Sequence, residues 1–202
     1  MKWILNIWMI VFLAIAGCDR GFEDLNVNPN LNDTADPDEL FAYAQHKFHT
    51  DYFNGVLTEV WGLNMWMQVQ ADINGISAAG DEYFIGGDAL DNTWRLYYSE
   101  VLGNVTQALR ILEDDPEGGT KRAILRIYRA YVFQRLTDLW GDIPYSDAFE
   151  AINDENIPDF TPEYDSQQSI YVDLLNELKS AAAELDPNDP TFSAEDWVHD
   201  GE

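Results

Sequence analysis

KRAILRIYRAYVFQRLTDLWGDIPYS, residues 121–146, reads as one long helix that stops abruptly. Ile124, Leu125, Tyr128, Tyr131, Val132, Leu136 and Leu139 recur at steps of three and four from Lys121 to Trp140, the spacing of a helical stripe. They cover more than half of the helix circumference, so this element packs on more than one side. The helix stops at Gly141, and the chain turns sharply through Pro144, which cannot continue a helical ladder.

The same periodicity extends outward in both directions. Trp94, Tyr97, Tyr98, Val101, Leu102, Val105, Leu109 and Leu112 define a preceding helix that ends at Asp114-Asp115-Pro116. Only the Gly118-Gly119 turn separates the two, so they form an antiparallel hairpin. After an irregular stretch at 141–164, Asp165 to Gln168 reads as a capping box. Ile170, Tyr171, Leu174, Leu175, Leu178, Ala182 and Leu185 then predict a fifth amphipathic helix, stopping at Asp186-Pro187.

Upstream, Asp36-Pro37-Asp38-Glu39 combines an N-cap, a proline at the first helical position and a capping-box Glu. Phe41, Ala44, Phe48 and Tyr52 follow at helical spacing. A second helix is predicted from Val56 to Val69, bearing Val60, Trp61 and Met67. Residues 71–89, with Gly75, Gly80, Gly86 and Gly87 among Asp72, Asp81, Glu82 and Asp88, predict a long surface loop. No strand alternation appears. The expected fold is all-α, a tetratricopeptide-like stack of helix hairpins, although its third and fourth helices are too long for the standard helix–turn–helix unit of about 34 residues.

The first residues have a different character. Lys2 precedes an apolar run from Trp3 to Ala16 broken only by Asn6, the design of a secretory leader. The run falls short of the roughly 20 residues that span a bilayer, which disfavours a buried helix or membrane anchor. Leu13-Ala14-Ile15-Ala16-Gly17-Cys18 resembles the lipobox of bacterial lipoproteins, in which the cysteine thiol takes a diacylglyceryl group. Cys18 is the only cysteine, so it makes no internal disulfide, and two or three acyl chains at this position anchor firmly. The expected organisation is a signal peptide over 1–17, a lipidated tether over 18–35 and a helical domain over 36–202.

Composition bounds the function. The chain carries 37 acidic and 11 basic residues, a formal net charge of −26, and loss of Lys2 with the leader makes it more negative. That charge repels phosphate backbones and anionic membrane surfaces, which excludes nucleic acid as a partner and leaves the lipid as the only membrane contact. Aromatic (13%) and hydrophobic (46%) contents are those of a folded chain rather than a disordered one.

Catalytic signatures are sparse. His46 and His49 stand three apart without a third ligand nearby in sequence, which argues for a solvated helix edge over a metal site. No nucleophile elbow, phosphate-binding loop or zinc helix motif is present, and no cofactor is implied. Lys121, Arg122, Arg126, Arg129 and Arg135 crowd one helix and read as an internal salt-bridge network with acidic neighbours, in preference to an anion-binding patch. Trp94, Tyr97, Tyr98, Tyr128 and Tyr131 follow the buried stripe and read as core. Trp66, Gln68, Gln70, Asp72, Asn74 and Tyr83 flank or occupy the Gly-rich loop and mix aromatic planes with polar groups, the chemistry that stacks and hydrogen-bonds a sugar. Of these, Trp66, Gln68, Asp72, Asn74 and Tyr83 are the candidate ligand-binding residues.

Arg129-Ala130-Tyr131 through Leu139-Trp140-Gly141-Asp142-Ile143-Pro144-Tyr145-Ser146-Asp147-Ala148 resembles the signature of the SusD/RagB family of outer-membrane nutrient-binding lipoproteins, in its SusD-like branch. The lipobox, Asn28-Pro29-Asn30, and Pro162-Glu163-Tyr164-Asp165-Ser166-Gln167 leading into Ile170-Tyr171 extend the likeness. The resemblance implies a helical lid, anchored on the cell surface by Cys18, over a SusC-like TonB-dependent outer-membrane transporter, capturing oligosaccharides or peptides without catalysis. It also implies a C-terminally incomplete chain, because Phe192 to Glu202 resembles the approach to a further family segment, and apolar faces would then be left open to association. Two other readings stand beside it: a surface glycoside hydrolase using paired carboxylates, and a helical adaptor that binds no ligand.

Overall fold

A computed structural model describes residues 35–51, 63–71, 73, 82–83, 87–116, 118–150, 161–189 and 191–192. The leader, Cys18 and most of the tether lie outside these, as do Tyr52, Val56, Val60, Trp61, Asp72 and Asn74. Compactness separates Met1–Ala35 from Asp36–Glu202, and every element named below belongs to the second unit. No described helix is long and apolar enough to cross a membrane.

The elements in order are α1 (Pro37–Thr50), α2 (Leu63–Trp66), α3 (Gly87–Arg95), a π-helical segment (Leu96–Leu102), α4 (Gly103–Ile111), α5 (Gly119–Trp140), β1 (Ile143–Pro144), β2 (Tyr164–Asp165) and α6 (Gln167–Glu184). Helices dominate and pack as hairpins. The long α5 is central, meeting α6 on one side and α4 and the π segment on another, while α1 covers α4 and the π segment.

Local sequence explains the ends of these elements. The Asp36 side chain accepts from the Asp38 amide at 2.9 Å, and Pro37 follows in the first turn, satisfying amide groups that a helix start leaves open. Asp38 also accepts from Lys121 Nζ at 2.6 and 2.7 Å, which pins the start of α1 to the start of α5. The α6 cap is Ser166, whose hydroxyl accepts from the Ser169 amide at 3.2 Å, one residue beyond the expected capping-box start at Asp165. Asp165 itself stands in β2, which pairs antiparallel with β1 in the register Ile143↔Asp165 and Pro144↔Tyr164. This short ladder lies inside the stretch that read as irregular; two-residue strands are too short to show alternation.

Three further expectations need correction. The predicted second helix is helical only over Leu63–Trp66 among its described residues, and the chain has left the helix at Gln68, where φ is 57°. The third helix begins at Gly87 and is not uniform, since Leu96–Leu102 is wound as a π-helix. Thr93, Tyr97, Val101 and Val105 are each 0% exposed, at steps of four. An α-helix drifts by about 40° at each such step, and the wider i→i+5 turns take up that drift, keeping all four on one face. Lastly, Tyr131 is 42% exposed, so it is not a core residue; it meets the interior at its edge, through ring contacts with Phe48 at 5.4 Å and Tyr128 at 6.4 Å between centroids.

The core runs between α1, the π segment, α4, α5 and α6. Phe41, Phe48, Tyr97, Leu102, Val105, Leu125, Val132, Leu136, Ile143, Ile170 and Phe192 are buried, and each large aliphatic or Phe side chain withdrawn from water contributes about 1.5–3 kcal/mol. On α6, Ile170, Leu174 and Ala181 face this core. Tyr171, Leu175, Leu178, Ala182 and Leu185, also expected in the apolar face, are exposed.

Candidate functional site

The loop that the sequence singled out begins where α2 ends. Trp66 closes that helix and is 37% exposed. Gln68 and Tyr83 both hold positive φ, 57° and 62°, a conformation that costs energy outside glycine. Their side chains meet: Gln68 Nε2 donates to the Tyr83 hydroxyl at 3.2 Å across 15 residues. Met67, Val69 and Ile73 beside them are exposed. Of the five candidate ligand-binding residues, Gln68 and Tyr83 are thus brought together, Trp66 stands two residues from Gln68, and Asp72 and Asn74 lie outside the described residues.

The turn after α5 is the structural hub. Gly141, at φ 77° and ψ −115°, closes α5 through its amide to the Thr137 carbonyl, and the Thr137 hydroxyl donates back to Gly141 O at 2.6 Å. Asp142 accepts from the Gln167 amide at 2.9 Å, so this turn also caps α6. Tyr98 OH donates to Pro144 O at 2.6 Å. Asp165 accepts from the Tyr145 and Ser146 amides at 3.2 and 2.8 Å, and Tyr145 OH donates to Asp173 at 2.6 Å. Burial pushes the Tyr98 and Tyr145 hydroxyls above the ordinary phenol range, with Asp173 reinforcing the effect at Tyr145, so both remain donors. The motif from Trp140 to Ser146 therefore joins the π segment, α5 and α6.

Beside this hub lies a cleft of ≈ 710 Å³ between α4, α5, the 145–150 turn and the start of α6. Phe133, Tyr145 and Phe149 form its aromatic wall, with Phe133 meeting Tyr145 edge-on at 4.7 Å between centroids. Arg110, Arg122 and Arg129 line it from α4 and α5, together with Glu113, Asp165 and Asp173. Sequence reading missed this site because its parts come from four separate segments. The spacing of seven between Arg122 and Arg129, which puts them on one helix face, was the available signal.

The expected salt-bridge network around α5 holds only in part. Lys121 pairs with Asp38, and Arg126 donates to Glu177 at 2.7 and 2.8 Å and to Glu184 at 2.7 Å. Arg122 serves carbonyls instead, donating to Leu112 O at 2.7 Å and Asp115 O at 2.6 Å, which closes the end of α4. Arg135 hydrogen-bonds Tyr97. Hydrogen bonds from Arg126 hold the Glu177 carboxyl below its ordinary range.

His46 meets Thr50, whose hydroxyl donates to the His46 carbonyl at 2.6 Å. His49 lies edge-on to Phe48, and burial lowers its basicity. Among the described residues, no three His, Cys, Asp or Glu side chains gather as metal ligands would.

Comparison with known proteins adds three findings. A family model described as "SusD-like: Starch-binding associating with outer membrane" matches residues 29–202. A solved structure described as a chitin-binding protein is similar in fold, with TM-score 0.72 and 24% identity over 83% of this chain and 35% of its own. Another, described as Bacteroidetes AC2a SusD-like, has TM-score 0.69 and 26% identity over 83% of this chain and 30% of its own. The chain thus spans about a third of the length of either structure. No curated protein matches it.

Proposed function

The chain belongs to the SusD-like family, and from that premise we propose that it is a lipid-anchored cell-surface protein that binds an oligosaccharide nutrient and delivers it to a TonB-dependent outer-membrane transporter, without chemistry of its own. Cys18 carries the anchor in this reading, and the signal peptide ends at Gly17. The ligand contacts are Trp66, Gln68 and Tyr83, joined by Asp72 and Asn74.

One observation carries the choice of site. Gln68 and Tyr83 are tied to each other at 3.2 Å in backbone conformations that are costly for both, beside an exposed indole. Stored strain of this kind belongs to preorganised sites, and an aromatic plane next to an amide and a phenol suits a pyranose: the ring stacks and the polar groups exchange hydrogen bonds with its hydroxyls. The family description names starch binding, and the chitin-binding similarity also points to a saccharide ligand.

Calorimetric titration of the whole chain against α-glucan oligosaccharides, chitin oligosaccharides and peptides tests the reading. A saccharide is expected to bind, and Trp66→Ala is expected to weaken it at least about tenfold, equivalent to about 1.4 kcal/mol. Binding of peptides alone would replace the saccharide with the other ligand class. Release of new reducing ends from any bound glycan would instead favour the hydrolase reading. For the anchor, Cys18→Ser is expected to move the protein from the membrane to the soluble fraction; continued membrane retention would refute lipidation there.

A further inference from the structure

The cleft beside the hub collects three guanidinium groups that are not spent on close carboxylates. Arg110 Nη2 donates to the Phe149 carbonyl at 2.7 Å, and Arg122 Nη1 serves two carbonyls. Arg129 lies 3.8 Å from Glu177, whose two oxygens are already taken by Arg126 at 2.7 and 2.8 Å. Among the described residues no other ion pair reaches these three. In a chain of 37 acids and 11 bases, almost any guanidinium has carboxylates to choose from. Three half-buried ones converge here instead, each with further N–H donors beyond the bonds it makes.

A second observation is independent of charge. Thr106 lines the same cleft and is 6% exposed, yet its hydroxyl has no hydrogen-bond partner among the described residues. Buried hydroxyls are rarely left unsatisfied, and an orphan that lines a cavity is free to bond a polar atom that enters it. The remaining lining is mixed in a particular way. Phe133, Tyr145 and Phe149 offer flat apolar surface, while Glu113 and Asp173 offer acceptors.

We infer that this cleft is a second binding site, for a carboxylate-bearing sugar unit such as a uronate within an oligosaccharide. Arg129 and Arg110 hold the carboxylate, the shape that guanidinium forks match best. Thr106 bonds a polar atom of the ring, Tyr145 and Phe149 meet its apolar face, and the cleft carboxylates accept from its hydroxyls. A neutral sugar leaves the guanidiniums unused, and a simple inorganic anion leaves the aromatic wall unused. The inference rests on the saccharide-binding reading above and adds the charge of the ligand and a second location for it.

Titration of the whole chain with an oligogalacturonate and with the neutral galactose oligosaccharide of the same length tests this. The acidic ligand is expected to bind more tightly, and its affinity to fall with added salt while that of the neutral ligand does not. Arg129→Gln is expected to weaken the acidic ligand at least tenfold and leave neutral binding unchanged. Thr106→Val is the sharper variant: it removes an unsatisfied hydroxyl at constant shape, so melting temperature should hold or rise while acidic-ligand affinity falls. A merely structural Thr106 would not give that combination.

Neutral oligosaccharide binding without any preference for the acidic one would overturn this inference and leave the proposed function standing. Acidic-ligand binding that is lost in Trp66→Ala but not in Arg129→Gln would overturn the location. Absence of binding by every saccharide would overturn both readings together.

Discussion

Gly141 shows how one backbone position can decide a turn. Its φ of 77° and ψ of −115° lie where side chains are strained, and a Cβ placed there meets nothing within 4 Å. Gly141→Ala therefore tests conformation without a steric clash: it is expected to lose about 1–3 kcal/mol, measurable by urea denaturation with an unchanged m-value. Glycine at this stop was legible in sequence. The positive φ values of Gln68 and Tyr83 were not, because neither residue type announces them. Glu177 gives a test in pH. Its carboxyl is held below the ordinary value of 4.5, chiefly by hydrogen bonds from Arg126. The stabilisation is thus present above that value and is lost as pH falls through the lower folded one. Thermal melts between about pH 6 and 3 should show Glu177→Gln less stable than the parent near neutrality, with the difference shrinking as the solution becomes acidic. A gap that stays constant across the range would refute the assignment.

At the scale of elements, the rod formed by α3, the π segment and α4 carries the clearest constraint. Four of its fully buried residues, Thr93, Tyr97, Val101 and Val105, recur at steps of four, which drift by about 40° each along an α-helix, and the underwound Leu96–Leu102 turns offset that drift. Deleting Ser99, an exposed residue within that segment, removes the extra residue that the wide turns accommodate, so a return to α winding leaves everything after it facing nearly as before. The melting temperature by circular dichroism is therefore expected to stay close to that of the parent. A fall of roughly 10 °C or more, the loss of at least one large core side chain, would show that the π winding itself is needed for packing. Apolar periodicity found this helix because doublets such as Tyr97-Tyr98 and Val101-Leu102 satisfy a loose three-or-four rule. The same looseness hid the π turns. On α6 it also merged the buried residues Ile170 and Leu174 with the exposed Leu175 and Leu178, and took the exposed Ala182 in place of the buried Ala181, since adjacent residues on a helix differ by only about 100°.

For the whole molecule the governing quantity is charge. A net charge of −26 opposes compaction by self-repulsion, while the described ion pairs are few. Raising salt from about 10 to 150 mM shortens the range of that repulsion, so the melting temperature should rise. A fall would mean that the pairs Lys121–Asp38 and Arg126–Glu177 outweigh it.

By itself the sequence determined that the chain is helical, where its long helices stop, and which motif ties them together. Those properties follow from spacing, proline and glycine, which act locally. It also supplied the loop with Trp66, Gln68 and Tyr83 as a place to look. Only the tertiary structure decided that Gln68 and Tyr83 touch, that Tyr131 is exposed, and that Arg110, Arg122 and Arg129 share a cleft with an unsatisfied Thr106. Each of those depends on segments far apart in the chain, and the choice between a carboxylate, a carbonyl and a cavity for each guanidinium is made by packing, which local spacing does not encode.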